Sequence, residues 1–336
     1  MQPFIDACLA APIGAALVAQ LEVNQRPSWT RIVDDPGADT ELIRRAAEHV
    51  GRISFGQLCE VAIRASEDVG PWTSGADEHA YAVYQHAEQR RPIAAAINDR
   101  FGAELHAGIA LDGQEWWIHS MGAAGIAPLF RHLDQVYGRG ELSWHALRAY
   151  GPSPSEVLDS GFGGAPTPST RWSLPVVEPV RVLEIHRPAD WFDLCSGSPR
   201  EGTEVRDSWA LPGPYAARNQ RLMGLRNQHA AVAVVDVHLN PMWSVVARDF
   251  DAVHLSWAGF ITSEGFVFQQ GRITTMLRYW EREVTMWLKD CFGTPEPLPL
   301  PPTHDDHPYS YVMDATTSPS RRAQDEGVIA DMLARP

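Results

Sequence analysis

The chain has 336 residues, of which 44% are hydrophobic and 21% charged, and its formal charge at pH 7 is −14. This composition is that of a folded globular protein with one or two domains. Because non-specific affinity for nucleic acid comes from Lys and Arg, the acidic balance argues against a general nucleic-acid binder. Binding to anionic membrane surfaces is not expected for the same reason.

The four cysteines lie far apart in the sequence and form no Cys-x-x-Cys pair. We therefore expect neither a zinc site nor a disulfide framework, and we predict a cytoplasmic protein. No basic segment precedes the apolar run at 7–21, so this run does not resemble a signal peptide. No run of about 18 apolar residues is present, so no membrane span is expected.

The first 150 residues are predicted to be mainly helical. Helical structure is expected at 4–20, where Pro12 interrupts the run and favours two short helices, and a further helix is expected at 39–49. The spacing of Ser54 and Gln57 is that of a capping box, which begins a helix that ends near residue 69. Further helices are expected at 77–89, 93–101, 130–137 and 142–150.

A Pro-, Gly- and Ser-rich stretch at 151–170 is predicted to be a linker or a long loop. Beyond it, β-branched residues predict a compact domain at 171–293, and a Pro-rich polar tail follows at 294–336. The predicted fold class is α+β: a helical N-terminal region at 1–150, followed by a mixed α/β region with a small sheet. Strands are expected at 172–177, 181–185, 231–238, 252–256, 273–279 and 284–288, and short helices after Pro188 and Pro241.

Tryptophan marks the region in which a site is expected. Seven of the twelve tryptophans lie between Trp172 and Trp287. Because Trp buries a large area, this region is predicted to be the best packed. Common catalytic motifs are absent, among them G-x-x-x-x-G-K-[ST], H-E-x-x-H and G-x-S-x-G. Their absence argues against the usual nucleotide triphosphatases, zinc proteases and serine hydrolases.

Two carboxylates, Glu281 and Glu283, are separated by one residue and lead into the strand predicted at 284–288. In extended chain both project from the same side. This element resembles the E-x-E motif of ADP-ribosyltransferases. The resemblance implies that NAD is the cofactor, that Glu283 is the catalytic carboxylate and that Glu281 assists the acceptor. A preorganised anion at that position stabilises the positive charge that develops on the ribose.

The same resemblance gives roles to residues upstream of this motif. It implies that Ser256, on its predicted strand, supports the site. It also implies that Arg181, or alternatively Arg171, holds a cofactor phosphate, which a guanidinium does well. Trp257 and Tyr279 are the implied stacking partners of the nicotinamide ring.

A different hypothesis is an enzyme that acts on a small molecule through acid–base groups. His186 and Asp190 stand where a strand gives way to a helix. They form an acid–base pair, or else His186 binds loop backbone while Asp190 begins the helix. His254 faces a cleft as a third acid–base group, or it is buried and hydrogen-bonded.

A third hypothesis is a non-catalytic protein-interaction or immunity-type module, whose Trp-rich surface binds a protein partner. Trp116 and Trp117, with His119 nearby, form a stacking platform, or else one tryptophan lies in the core and the other makes an interdomain contact. His304 and His307 are metal-ligand types, but they lie in the Pro-rich tail without a rigid frame, so no metal site is expected there.

Overall fold

The structure is a computed structural model that describes residues 2–25, 38–69, 83, 85–118, 147–149, 170–177, 179–198, 237–239, 241–271, 273–277, 280, 282–294 and 296–299. In this part of the chain 55% of the residues are helical and 19% lie in strands, which confirms the predicted α+β class. All of these residues belong to one compact unit, 1–299.

The helices of the described residues fall into two groups along the chain. The first group is α1 (Gln2–Ala10), α2 (Pro12–Val23), α3 (Thr40–Val50), α4 (Phe55–Val69) and α5 (Arg91–Leu105). The second group is α6 (Pro188–Gly197), α7 (Trp243–Asp249) and α8 (Trp257–Ser263). Short 3₁₀ turns occur at Ala87–Arg90 and Leu111–Gly113.

Local sequence explains where several of these helices begin. Helix α2 starts at Pro12, whose fixed φ suits a first turn. The side chain of Asp39 accepts two backbone N–H groups in the first turn of α3. The predicted capping box is confirmed: Ser54 N donates to Gln57 Oε1 at 2.9 Å, and Gln57 N donates to Ser54 Oγ at 3.1 Å.

The strands form three small sheets. The central sheet has the order β2 (Leu147–Ala149), β9 (Val284–Trp287), β6 (Ala252–Leu255), β4 (Val182–Ile185). In it β4 and β6 run parallel, and the other neighbours run antiparallel. An antiparallel sheet has the order β1 (Glu115–Ile118), β3 (Thr170–Ser173), β10 (Glu296–Leu298). A third sheet has the order β5 (Val237–His238), β8 (Ile273–Met276), β7 (Val267–Gln270).

One sequence-based prediction was wrong in the described residues. A helix was predicted at 142–150, but Leu147–Ala149 is strand β2, which pairs with the edge of β9. At the start of the stretch predicted as a Pro-rich tail, Glu296–Leu298 is strand β10, paired with β3. In both places pairing with a distant segment overrides the local preference.

The hydrophobic core joins the N-terminal helices to the later part of the chain. Leu17 and Ile97, from the helical region, belong to the same buried cluster as Val253 and Phe260. Residues on both sides of the predicted linker therefore pack together. The linker at 151–169 lies outside the described residues, so the domain boundary stays a prediction, as do the helices at 130–137 and over most of 77–89.

Successive side chains along the strands point to opposite sides, so the central sheet has two different faces. One face carries Val253 and Leu255, which pack in the main core. The other carries Ala252 and Trp287, which belong to a smaller cluster. Because side chains alternate along a strand, His254 lies on the second face, with Glu184 as its register partner on β4. The sheet thus places two ionisable groups side by side.

No single helix within the described residues is long and apolar enough to cross a membrane. Helices α1 and α2 are long and apolar enough for a membrane span only when they are taken together, and the chain bends by 90° between them.

Candidate functional site: the histidine cleft

The first feature of the site is a hydrogen bond between His186 and Ser256, the residues that follow the paired parallel strands β4 and β6. The distance from His186 Nδ1 to Ser256 Oγ is 2.9 Å. The Ser256 hydroxyl also donates to the Ile185 carbonyl (3.2 Å) and accepts the Gly259 N–H (3.1 Å). Since the hydroxyl has a single proton, which its bond to Ile185 uses, Nδ1 of His186 is the donor to Ser256 and Nε2 takes no part in this bond.

His186 lines a cleft of about 850 Å³, a volume within the range usual for small-molecule sites. The cleft lies at the carboxyl ends of two parallel strands, where ligands of α/β proteins commonly bind. Helix α1 contributes one wall residue, α5 and its C-terminal end contribute four, and the turn into α6 contributes the rest. The lining of this histidine cleft is Phe4, Asn98, Asp99, Gly102, His106, His186, Arg187 and Asp190.

A second imidazole, that of His106, belongs to the same cleft. Its ring centroid lies 5.8 Å from that of His186 and 5.7 Å from the ring of Phe4. Partial burial, and then the neighbouring His186, lower the pKa of His106. At neutral pH His106 is therefore uncharged, with one ring nitrogen able to accept a hydrogen bond.

Asp190 caps the helix rather than pairing with an imidazole. Its Oδ2 accepts the backbone N–H groups of His186 (2.9 Å) and Arg187 (3.1 Å). Its Oδ1 accepts Arg187 Nε at 2.9 Å. Of the two alternatives for this pair, the structure has the one in which Asp190 begins the helix. The imidazole of His186 is held by Ser256 instead.

His254 is buried between two carboxylates, as the second alternative for this residue predicted. Its Nδ1 bonds Glu184 Oε2, and its Nε2 lies 3.2 Å from Glu283 Oε1. Burial by itself lowers the pKa of His254, but the hydrogen bonds to Glu184 and Glu283 outweigh it and raise the pKa to about 9. His254 is therefore a cation at neutral pH. It is not a free base, and we call this group the Glu184–His254–Glu283 triad.

Glu184 was not predicted from the sequence. Its carboxylate also accepts the Ile109 N–H at 3.0 Å. Burial alone raises the pKa of Glu184, but the bonds from His254 and Ile109 lower it overall. One signal could have revealed it. Glu184, on one predicted strand, is two residues before His186, and His254 is two residues before Ser256 on another, so a period of two places each pair on one face.

His106 and Asp99 were also not predicted. Both come from the helical region, in which the sequence shows no catalytic motif. They reach the cleft only because α5 packs close to α1 and α8 in the main core. Such packing leaves no local signal in the sequence.

Arg181, predicted to hold a cofactor phosphate, lies elsewhere. It precedes β4, whereas Ser256 follows β6, so the two residues are at opposite ends of the parallel pair. Its Nη2 lies 3.4 Å from Asp251 Oδ1 and 3.1 Å from the Arg248 carbonyl oxygen. Arg181 is therefore separated from His186 and Ser256 by the full length of the parallel strands.

Trp257, predicted to stack nicotinamide, lies in the core. Its side chain is 3% exposed, and its ring meets those of Phe55 and Phe260 edge-on at 6.3 Å and 5.9 Å. As the first residue of α8 it points into the protein interior, so it has no open face for a ligand. Its indole instead anchors α8 to the N-terminal helices.

The remaining predicted residues cannot be placed. Glu281, Tyr279, His119 and the stretch 304–307 lie outside the described residues, and so do the side chains of Arg171, Trp116 and Trp117. Within the ranges that the structure describes, no group of three His, Cys, Asp or Glu side chains is arranged to hold a metal ion.

Comparison with known proteins gives no relatives. The chain matches no protein-family model, no curated protein and no solved structure.

Proposed function

We propose that the protein is an enzyme that acts on a small polar molecule by acid–base chemistry, with His186 as the group that accepts and returns the proton. The observation that carries the proposal is the fixed imidazole: Nδ1 is bound to the buried Ser256, which leaves Nε2 for the cleft. A base held in one tautomer and orientation by a second residue is the usual arrangement of a catalytic histidine.

The surroundings of His186 support this role. Ser256 is 1% exposed, and its hydroxyl caps α8, so it acts as a positioning residue and not as a nucleophile. Glu184 and His254 of the triad precede His186 and Ser256 by two residues on the same two strands. Because two carboxylates bind both nitrogens of the His254 cation, the triad offers no surplus positive charge, and the proton transfer is assigned to His186 alone.

The test is depletion of a substrate from a defined mixture of soluble metabolites, followed by mass spectrometry. We expect the wild-type protein to consume one compound and His186→Gln to leave it unchanged. His49→Gln removes a histidine on α3, outside the cleft, and is expected to behave as the wild type. Consumption that persists in His186→Gln, or no consumption by the wild type, overturns the proposal.

A second candidate is NAD-dependent ADP-ribosyl transfer, with Glu283 as the catalytic carboxylate. It is favoured by one observation: Glu283 and Ser256 lie at the same edge of the central sheet, near His186. Against it stand the buried Trp257 and the distant Arg181. A rise in melting temperature with millimolar NAD that Glu283→Gln abolishes would support it, because a ligand that binds only the native state stabilises that state. No rise would remove it.

The protein-interaction or immunity-type module stays a prediction. Among the described residues, the exposed large hydrophobic side chains are Leu111 and Val177. Such a module is expected to form a complex with a protein partner that survives His186→Gln but not the loss of an exposed aromatic side chain. The cytoplasm stays the predicted compartment.

A further inference from the structure

The lining of the histidine cleft is rich in hydrogen-bond acceptors. Asp99 offers a carboxylate and Asn98 an amide oxygen, both from α5. Asp99 has no ion-pair partner among the described residues. The one guanidinium in the lining, that of Arg187, is bound by Asp190, so these two charges offset each other. The unpaired charge in the cleft is therefore negative.

The imidazoles strengthen this acceptor character. His106 is uncharged at neutral pH because burial and His186 lower its pKa. Nδ1 of His186 is already bound to Ser256. A donor group on a bound molecule therefore finds acceptors at Asp99, Asn98 and His106.

The rings of the cleft form a continuous aromatic wall. The ring centroids of Phe4 and His106 are 5.7 Å apart, with the rings edge-on. The ring centroids of His106 and His186 are 5.8 Å apart. A flat or apolar body packs well against such rings, and a cation is attracted to the face of an aromatic ring. The overall charge of −14 also favours the approach of a cation.

We infer that the histidine cleft binds an organic ammonium compound, with its charged nitrogen at Asp99 and an apolar or aromatic body against Phe4 and His106. The inference rests on the function proposed above, and it names the substrate class. A metal cation is a poorer occupant, because no described group of three ligand side chains could hold one. An ammonium needs only one carboxylate and a few neutral acceptors.

The experiment compares three probes of similar shape and different charge: benzylamine, benzyl alcohol and benzoate. Binding is followed at neutral pH by the NMR signals of the His106 and His186 rings, which are assigned from His106→Gln and His186→Gln. We expect benzylamine to shift both signals with the highest affinity of the three. Asp99→Asn is expected to weaken the binding of benzylamine about two- to fivefold, because Asp99 is exposed and an exposed ion pair contributes little.

The controls separate the charge from the shape. Asp99→Asn keeps the size of the side chain, so the affinity for benzyl alcohol is expected to change little. Asp112→Asn removes an exposed carboxylate from the 3₁₀ turn at Leu111–Gly113, outside the cleft, and is expected to leave benzylamine binding unchanged.

Each outcome decides the inference. Tighter binding of benzoate, with shifts of the same two rings, overturns the ammonium class but keeps the cleft as a small-molecule site. Equal benzylamine affinity in wild type and Asp99→Asn overturns the role of Asp99. If no probe shifts either ring, the inference fails, while the proposed enzymatic function is still decided separately by metabolite depletion in His186→Gln.

Discussion

His186 and Ser256 are 70 positions apart in the chain, and their side chains meet at 2.9 Å where two parallel strands end. Ser256 performs two tasks through one hydroxyl, since it caps α8 and fixes the imidazole. The orientation of the His186 imidazole and the stability of the first turn of α8 therefore depend on the same atom.

Ser256→Ala is expected to lower the free energy of unfolding by about 1–2 kcal/mol, through loss of the cap. It is also expected to release the His186 ring, seen as loss of the Nδ1-protonated tautomer in its ¹⁵N shifts. Ser54→Ala is the matched control, because it removes the capping hydroxyl of α4 far from His186 in the sequence. It should destabilise to a similar extent without changing the tautomer. An unchanged His186 spectrum in Ser256→Ala would contradict the positioning role.

The triad predicts a loss of stability at alkaline pH. The pKa of His254 is raised from 6.5 to about 9 in the folded state, so its stabilising effect is complete below about pH 6.5 and disappears as the pH rises through 9. The loss is on the order of 3 kcal/mol, since one pKa unit corresponds to about 1.4 kcal/mol. Urea denaturation across this range measures it. His254→Gln should lack this pH dependence and His49→Gln should retain it; the same slope in His254→Gln would refute the assignment.

Arg181→Ala is expected to leave the histidine cleft unchanged, because Arg181 lies at the opposite end of β4. Its guanidinium is largely exposed and Lys289 also binds Asp251, so the loss of stability should be under about 1 kcal/mol. Urea denaturation and the NMR signals of the cleft histidines measure the two effects. Altered signals of His106 or His186, or a loss of NAD binding, would show that Arg181 belongs to the site after all.

The buried ion pair between Glu22 and Arg90 is expected to be costly to break. The two side chains are 0% and 1% exposed, and Glu22 also accepts the Asp39 N–H at 2.8 Å. Glu22→Gln leaves Arg90 as an uncompensated buried charge, which should cost about 3–5 kcal/mol in urea denaturation. Glu41→Gln, at an exposed ion pair on α3, should have a much smaller effect. Similar losses in the two variants would show that burial is not the cause.

Gly259→Ala tests the close approach of α8 to β4. An added Cβ would lie 2.2 Å from the Ile185 carbonyl oxygen, and backbone there cannot move aside cheaply. We expect a loss of about 1–3 kcal/mol and a shift of the adjoining His186 signal. Gly102→Ala is the control, since its Cβ would meet only Asn98 at 3.7 Å and alanine favours the helix. A stable Gly259→Ala protein would contradict this packing.

Much of the fold could be predicted from the sequence because its signals are local. The capping box at Ser54, the proline at the start of α2 and the apolar run of β6 each depend on a few neighbouring residues. Strand β2 could not be predicted, because Leu147–Ala149 becomes a strand only by pairing with β9, which is distant in the sequence.

The candidate site likewise has a part that could be predicted from the sequence and a part that could not. His186 and Ser256 could be selected individually, because each ends an apolar strand segment. Their contact depends on the parallel pairing of strands far apart in the chain, which no local pattern specifies. The contribution of His106 depends on how α5 packs, and the sequence carries no sign of it. The roles of Glu281 and Tyr279 in an ADP-ribosyltransferase-like site stay predictions.

The alignment of β4 with β6 has a consequence for how this molecule tolerates insertions. Glu184 faces His254 only in the observed register, and both face away from the main core. Adding or deleting one residue within either strand would move Glu184 or His254 to the face that packs in the main hydrophobic core. A leucine or valine would then take its place on the opposite face. Length changes should therefore be rejected inside these two strands.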